Sequence, residues 1–178
     1  MTKKSKLATA NDPVLAAMAE ARRLDKAWHR LSDALDRAEA KARETHGPRP
    51  CSLIAWRDYS AIGGSEIEGG RERYLNMPEI DPKKIEEEYQ AAKARERAAK
   101  LAGIEWDKRA GIAAQRRECA LTLANELKAH MQMAKTAPTT PAGAAALLAY
   151  VKADMKIGLE FDWHDKALGT LIDALKAW

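Results

Sequence analysis

The chain has 178 residues and a formal net charge of +4, and its composition is 46% hydrophobic, 31% charged and only 6% aromatic. Alanine is abundant in the hydrophobic fraction, and the 30 basic residues are nearly balanced by 26 acidic ones, as is typical of long helices with solvated faces. There is no run of about 18 apolar residues, and the basic opening lacks an apolar segment of signal-peptide length, which argues against membrane insertion and secretion.

Residues 1–10 predict a disordered basic tail, and a long helix is expected to follow it. Asn11 or Asp12 can cap this helix, with Pro13 at its first position and an end near His46. Apolar side chains recur at alternating steps of three and four over about four heptads, which predicts a coiled-coil seam. The seam consists of Val14, Ala17, Ala21, Leu24, Trp28, Leu31, Leu35, Ala38 and Ala42.

Residues 47–81 predict an ordered connector that contains one short helix, and no stretch of the chain alternates long enough to demand a strand. Gly63 and Gly64 precede "SEIE", which matches a capping box in which the Ser65 side chain accepts from the backbone of Glu68. The short helix is therefore expected to begin at Ser65. Its inward-facing residues are expected to be Ile67, Tyr74 and Leu75.

A second long helix is predicted from the cap at Asp81, with Pro82 in its first turn, to about residue 135. Gly103 and Gly111 weaken its middle and predict a kink or a close helix crossing there. Its seam is interrupted by Glu96, Gly103 and Arg117 and otherwise consists of Ile85, Tyr89, Ala92, Ala99, Trp106, Ala110, Ala113, Ala120, Ala124, Leu127 and Met131.

Two shorter helices are predicted in residues 136–178. Thr140 is expected to cap the first, Gly158 to stop it, and Asp162 to cap the second. Their apolar faces are Leu147, Leu148, Val151 and Met155, and then Leu168, Leu171, Ile172 and Leu175. The predicted fold is all-α: a long antiparallel coiled-coil-like hairpin at 11–135 with its crossover at 47–81, and a C-terminal helical hairpin that packs on it.

The sequence contains no motif that predicts a cofactor, a metal site or catalysis. Its histidines lack metal-ligand spacing, and surface or capping roles are expected for them. The glycines of "GGSEIEGG" lack the spacing and the following lysine of a phosphate loop. The isolated Cys51 and Cys119 form no ligand pattern and predict reduced thiols in a cytoplasmic protein.

A set of arginine and aromatic side chains is the candidate interaction surface. It consists of Trp56, Arg57, Tyr59, Arg71, Arg109, Arg116 and Arg117. The first four belong to the connector, where a packed corner is the preferred interpretation and a ligand groove is the alternative.

The stretches "APTTPAGAAALLAYV" and "IAWRDYSAIGGSEIE" resemble segments of uncharacterised small helical proteins from alphaproteobacterial genomes. The resemblance implies a bacterial cytoplasmic protein, from mobile genetic elements, and it brings no activity or catalytic residue. The preferred function is therefore a non-enzymatic protein–protein interaction or adaptor role through coiled-coil surfaces, with homodimerisation as one form of it. The alternative is a nucleic-acid-associated accessory protein that uses the basic tail and the Arg-rich second helix.

Overall fold

The computed structural model describes residues 12–156 and 161–178, which form six helices and one two-stranded sheet. The helices are α1 (Pro13–His46), α2 (Ser65–Leu75), α3 (Pro82–Arg109), α4 (Ala113–Lys135), α5 (Pro141–Met155) and α6 (Asp162–Lys176), and the strands are β1 (Ile54–Trp56) and β2 (Tyr59–Ile62). The predicted all-α class is confirmed, whereas the predicted tail and the predicted stop at Gly158 lie outside the described residues. Within those residues no helix combines the length and the hydropathy that crossing a bilayer requires.

The chain forms two compact units. The described part of unit 1 comprises residues 12–34, 117–156 and 161–178, and unit 2 comprises residues 35–116. The long helices α1 and α4 each contribute to both units, so the division falls at other places than the predicted segment boundaries. The coiled-coil pairing of the long helices stays a prediction.

The core of unit 1 is built by four helices, α1, α4, α5 and α6. Its buried residues are Val14, Met18, Ala21, Met133, Ala134, Leu147, Val151, Trp163 and Ala167. Along α1, no residue of the predicted apolar seam is exposed, so the three-and-four spacing identified the buried side of this helix correctly.

Asp12 joins the start of α1 to the start of α5. One carboxylate oxygen accepts from the Val14 backbone N–H at 3.2 Å, which confirms the predicted cap. The other accepts from the backbone N–H groups of Thr139 and Thr140 at 3.1 and 2.9 Å and from the Thr140 hydroxyl at 2.7 Å. Burial alone raises the pKa of Asp12, but these hydrogen bonds outweigh it and hold the pKa below its ordinary value.

Unit 2 contains an antiparallel hairpin that the sequence analysis did not predict. Ile54 pairs with Ile62 and Trp56 with Tyr59, so two short strands form although no stretch of the sequence demanded one. The strands are three and four residues long, too short to give a period-two signal. Packing stabilises them instead, because Trp56 and Ile62 belong to a buried cluster with the α2 residue Ile67.

The first turn of α2 is capped differently from the predicted capping box. The helix begins at Ser65 as expected, but Gly64 is its cap residue and no local side chain caps it. Gly64 has a φ of 49°, which suits glycine, and its N–H donates to the Glu96 carboxylate of α3 at 2.6 Å. Lys100 donates to the same oxygen at 2.6 Å, and together these contacts lower the pKa of buried Glu96 to about 2.

The predicted second long helix is two helices, α3 and α4, separated by a turn at Gly111. Gly111 has a φ of 70°, a left-handed conformation that a continuous helix cannot contain. Up to the turn the predicted seam is at least half-buried, but Ala120, Ala124 and Leu127 beyond it are exposed. That part of the prediction is wrong because the turn resets the phase of the repeat. The residues that α4 buries are Cys119, Glu126, His130, Met133 and Ala134.

Candidate functional site

An apolar groove lies between α5 and α6 in unit 1. Its volume is about 370 Å³, and it is lined by Leu148, Val151, Lys152, Met155, Lys156 and Leu168. Leu148 is 47% exposed and Met155 is 39% exposed. Both are large apolar side chains, and they line one groove together instead of lying singly on the surface. Exposed apolar side chains that lie together are typical of interaction sites, so the groove is a candidate interaction site.

The groove exists because α5 carries apolar side chains on too wide an arc for one buried face. Leu147 and Val151 enter the core, whereas Leu148 and Met155 are left outside it. The sequence predicted one apolar face that contains all four, and the structure divides it into a buried pair and an exposed pair. Consecutive leucines at 147 and 148 were the available signal, since adjacent helix positions lie about 100° apart.

Exposed apolar side chains continue along α6 beyond the groove. Ile172 and Leu175 follow Leu168 by four and seven residues, which puts all three on one side of the helix. Ile172 is 52% exposed and Leu175 is 54% exposed. Only Leu171 of the predicted apolar face of α6 is fully buried. The groove and this extension are together called the α5/α6 face below.

Among the described residues, the charges that line the groove have one sign. Lys152 and Lys156 both line it, and no carboxylate of residues 12–156 and 161–178 does so. Their alkyl stems can lie along the apolar floor while the ammonium groups stay in water. The groove therefore combines an apolar floor with a positive rim.

Buried histidines fix the helices beneath this face. His164 accepts from the Phe161 backbone N–H through Nδ1 at 3.2 Å and contacts the Asp154 carboxylate through Nε2 at 2.9 Å. A neutral ring with its proton on Nε2 satisfies both bonds, and it ties α6 to the end of α5. The helix starts at Asp162, so the predicted cap role of Asp162 falls instead to Phe161 and His164.

A second buried histidine links α4 to α5. His130 contacts the Glu126 carboxylate through Nδ1 at 2.6 Å and the Tyr150 hydroxyl through Nε2 at 2.8 Å. Burial raises the pKa of Glu126, and burial together with Asp154 raises the pKa of Tyr150 to about 12. A phenol with that pKa stays protonated at neutral pH, so the chain of hydrogen bonds braces the helices. Surface or capping roles were expected for the histidines. Both of these are buried, and His164 has a capping role because it accepts from the Phe161 backbone N–H at the start of α6.

Four of the predicted surface residues come together in unit 2. Trp56, Arg57 and Tyr59 lie on or beside the hairpin, and Arg71 lies on the adjacent α2. The Arg57 guanidinium lies 4.8 Å from the Tyr74 ring centre, and the Arg71 guanidinium 5.1 Å from that of Tyr89. Such stacking is favourable, but Trp56 and Tyr74 are buried beneath it.

The arginines of this surface are paired with carboxylates of α3. Arg57 Nε donates to Glu88 at 2.6 Å, and Arg71 Nε donates to Glu86 at 2.8 Å. The Glu86 pair raises the pKa of Arg71, which keeps it charged. The surface is therefore close to neutral and offers little net attraction to a polyanion.

The other three predicted residues do not join this group. Arg116 pairs with Glu39 at 2.7 Å and with buried Asp107 at 2.9 Å, in a network that Asp107 shares with Arg49 at 2.8 Å. The network is internal to unit 2 and is structural in character. Arg109 and Arg117 are exposed, near the end of α3 and the beginning of α4 respectively.

No protein-family model, curated protein or solved structure matches this chain. Among the described residues, no group of three or more histidine, cysteine, aspartate or glutamate side chains is placed to hold a metal ion. The α5/α6 face is therefore the candidate that rests most directly on the geometry of the molecule.

Proposed function

We propose that this protein is a non-enzymatic interaction module whose α5/α6 face binds an amphipathic helix of a partner protein. The observation that carries the proposal is the groove with an apolar floor and two lysines on its rim. A helix with an apolar stripe fills such a groove, and acidic residues beside the stripe complement Lys152 and Lys156.

The magnitudes favour a reversible complex. Leu148, Met155, Ile172 and Leu175 are each about half exposed, so burying the rest of each contributes about 1 kcal/mol. Equal burial of apolar side chains on the partner roughly doubles this favourable free energy. The total must still outweigh the entropic cost of association, which is about 4–15 kcal/mol. We therefore infer a regulated or adaptor-type contact, with a homodimer as the special case in which a second copy supplies the helix.

The alternative, a nucleic-acid-associated accessory role, has less support from the described residues. Two of the basic side chains on α3 are engaged in ion pairs, Lys100 with Glu96 and Lys108 with Glu105, each at 2.6 Å. The basic tail on which that role also relies lies outside the described residues.

We place the protein in the bacterial cytoplasm as part of the same proposal. Cys51 is an exposed free thiol and Cys119 a buried one, and unpaired thiols suit a reducing compartment. The resemblance of the two quoted stretches to alphaproteobacterial proteins supports the bacterial assignment.

The test is affinity capture of cross-linked partners from the source cells, with and without nuclease. The test variant carries Leu148→Gln and Met155→Gln. The control variant carries Leu101→Gln and Ile104→Gln, a somewhat more exposed apolar pair on α3. The expected result is a nuclease-resistant partner that the control retains and the test variant loses. Identical capture by both variants would refute the α5/α6 face, and partners lost only on nuclease treatment would establish the alternative. Light scattering of the wild type then shows whether the partner is a second copy.

A further inference from the structure

A second groove lies in unit 2, between the hairpin and α3. Its volume is about 310 Å³, near the lower end of the range for small-molecule sites. It is lined by Ala55, Trp56, Arg57, Glu88, Ala91 and Arg95. From the sequence, a ligand groove in this region was only the alternative to a packed corner. The residues of α3 that line the groove were not among those predicted for it.

The groove has a buried hydrogen-bond donor without an acceptor. Trp56 is 4% exposed, and its indole Nε1 has no partner among the described residues. Buried indoles normally donate this hydrogen to an oxygen. The opposite edge of the ring lies against α2, because a Cβ added to Gly70 would come within 2.9 Å of Trp56 Cζ3. Nε1 is therefore on the edge directed away from α2, and the groove is the open space that this ring lines.

Two guanidinium groups line the same groove as this ring. Arg57 has a φ of 52°, an uncommon backbone conformation for a residue other than glycine, and its side chain is held by Glu88. Arg95 donates to the Ala55 carbonyl oxygen at 3.1 Å. The lining thus carries two positive charges against one negative charge, with alanines and the indole as its apolar part.

We propose that this groove binds a small organic carboxylate. One carboxylate oxygen accepts from Trp56 Nε1 and the other from Arg95, while a short hydrocarbon part lies against Ala55 and Ala91. Nε1 is buried in this conformation, so the proposal includes a side-chain rearrangement that opens Nε1 to the groove. Glu88 competes with the ligand for Arg57. This site is separate from the α5/α6 face and does not depend on the function proposed for it.

The test uses butyrate as the probe, at constant ionic strength, and follows the indole N–H signals of the full chain by NMR. The Trp56 signal is assigned by its loss in Trp56→Phe. Trp106 is the internal control, because its Nε1 already donates to the Gly47 carbonyl oxygen at 3.2 Å. The expected result is a saturable downfield shift of the Trp56 signal with the Trp106 signal unchanged.

Two variants at the rim decide the roles of the charges. Arg95→Gln is expected to weaken butyrate binding by about tenfold or more, as the loss of one charge-assisted hydrogen bond does. Glu88→Gln is expected to strengthen it several-fold, since the competing carboxylate is removed. The proposal is overturned if the Trp56 signal does not move by about 50 mM butyrate, if both indole signals shift alike, if Arg95→Gln binds like the wild type, or if inorganic phosphate produces the same shift.

Discussion

Asp12 and Asp81 occupy the same local sequence, an aspartate before a proline at the start of a helix, and they form a matched pair of test positions. The Asp81 side chain accepts one hydrogen bond, from the Lys83 backbone N–H at 2.9 Å, and this residue is exposed. Asp12 caps Val14 in the same way, but it is buried and its second oxygen also binds residues 139–140. The substitution Asp12→Ala therefore removes more than a helix cap.

The expected magnitudes differ by several-fold. Loss of a cap destabilises by about 1 kcal/mol, which is the result expected for Asp81→Ala. In Asp12→Ala, three further donors on Thr139 and Thr140 lose a charged acceptor. A hydrogen bond to a charged group contributes about 1.5–3 kcal/mol, and donors that share one oxygen are not additive. We expect Asp12→Ala to lower the free energy of unfolding by about 3–5 kcal/mol.

Urea unfolding followed by circular dichroism measures both variants against the wild type. Where the units unfold in separate transitions, Asp12→Ala shifts that of unit 1 and Asp81→Ala that of unit 2. The folded pKa of Asp12 lies below the ordinary 3.8, so its contribution is present above about pH 4 and is lost as the pH falls further. The gap between wild type and Asp12→Ala should therefore narrow from pH 7 to pH 3. Equal destabilisation by the two alanine variants at pH 7 would show that the bonds to residues 139–140 contribute nothing.

Three further outcomes are expected. Gly69→Ala should stabilise the protein by about 0.5–1 kcal/mol, because a Cβ at this helix position meets open space. Gly70→Ala should destabilise it by about 1–3 kcal/mol, because its Cβ meets the Trp56 ring. Thermal unfolding measures both changes, and a change of the same sign in the two variants would contradict the packing described. Glu96→Gln should destabilise the protein by about 1–3 kcal/mol at pH 7. Because the pKa of Glu96 in the folded protein is about 2, the difference in unfolding free energy between wild type and variant should vanish as the pH falls from 4.5 towards 2. A difference that stays constant with pH in urea unfolding would contradict the role of the Glu96 carboxylate. Tyr150 should ionise near pH 12, seen as the component of the 295 nm absorbance titration that Tyr150→Phe removes; its loss near pH 10 would contradict the burial of the phenol.

Local chemistry made part of this fold predictable. A helix cap depends on residues within three or four positions of each other, so it can be predicted from local sequence. The caps predicted at Asp81 and Thr140 are confirmed by hydrogen bonds from the backbone N–H groups of Lys83 and Gly143. The left-handed turn at Gly111 was one of two predicted weak points, since glycine alone accepts that conformation without strain. Short-range spacing also identified the buried side of α1.

Contacts between distant residues were out of reach of that reasoning. Glu96 accepts from the N–H of Gly64, the cap residue of α2, and Asp12 accepts from the N–H of Thr140. The partners in each bond are far apart in the sequence, so no local pattern indicates either bond. The period of an apolar repeat shows that an apolar face exists, but it does not show which part of a wide face the neighbouring helices cover. For this reason Leu147 and Leu148 were assigned to one face, although only Leu147 is buried. The buried His130 gave no signal for the same reason, because its hydrogen-bond partner on α5, Tyr150, lies 20 residues away.

The discontinuous make-up of unit 1 has a consequence for synthesis on the ribosome. Residues 35–116 emerge as one stretch and have all their partners at once, while the apolar side of residues 12–34 must wait for α5 and α6. We expect a nascent chain halted near residue 155, which has released all of unit 2, to resist protease across its middle and to be cut near its beginning. Until α5 and α6 have emerged, the apolar side of the first helix stays exposed, and such a surface promotes aggregation.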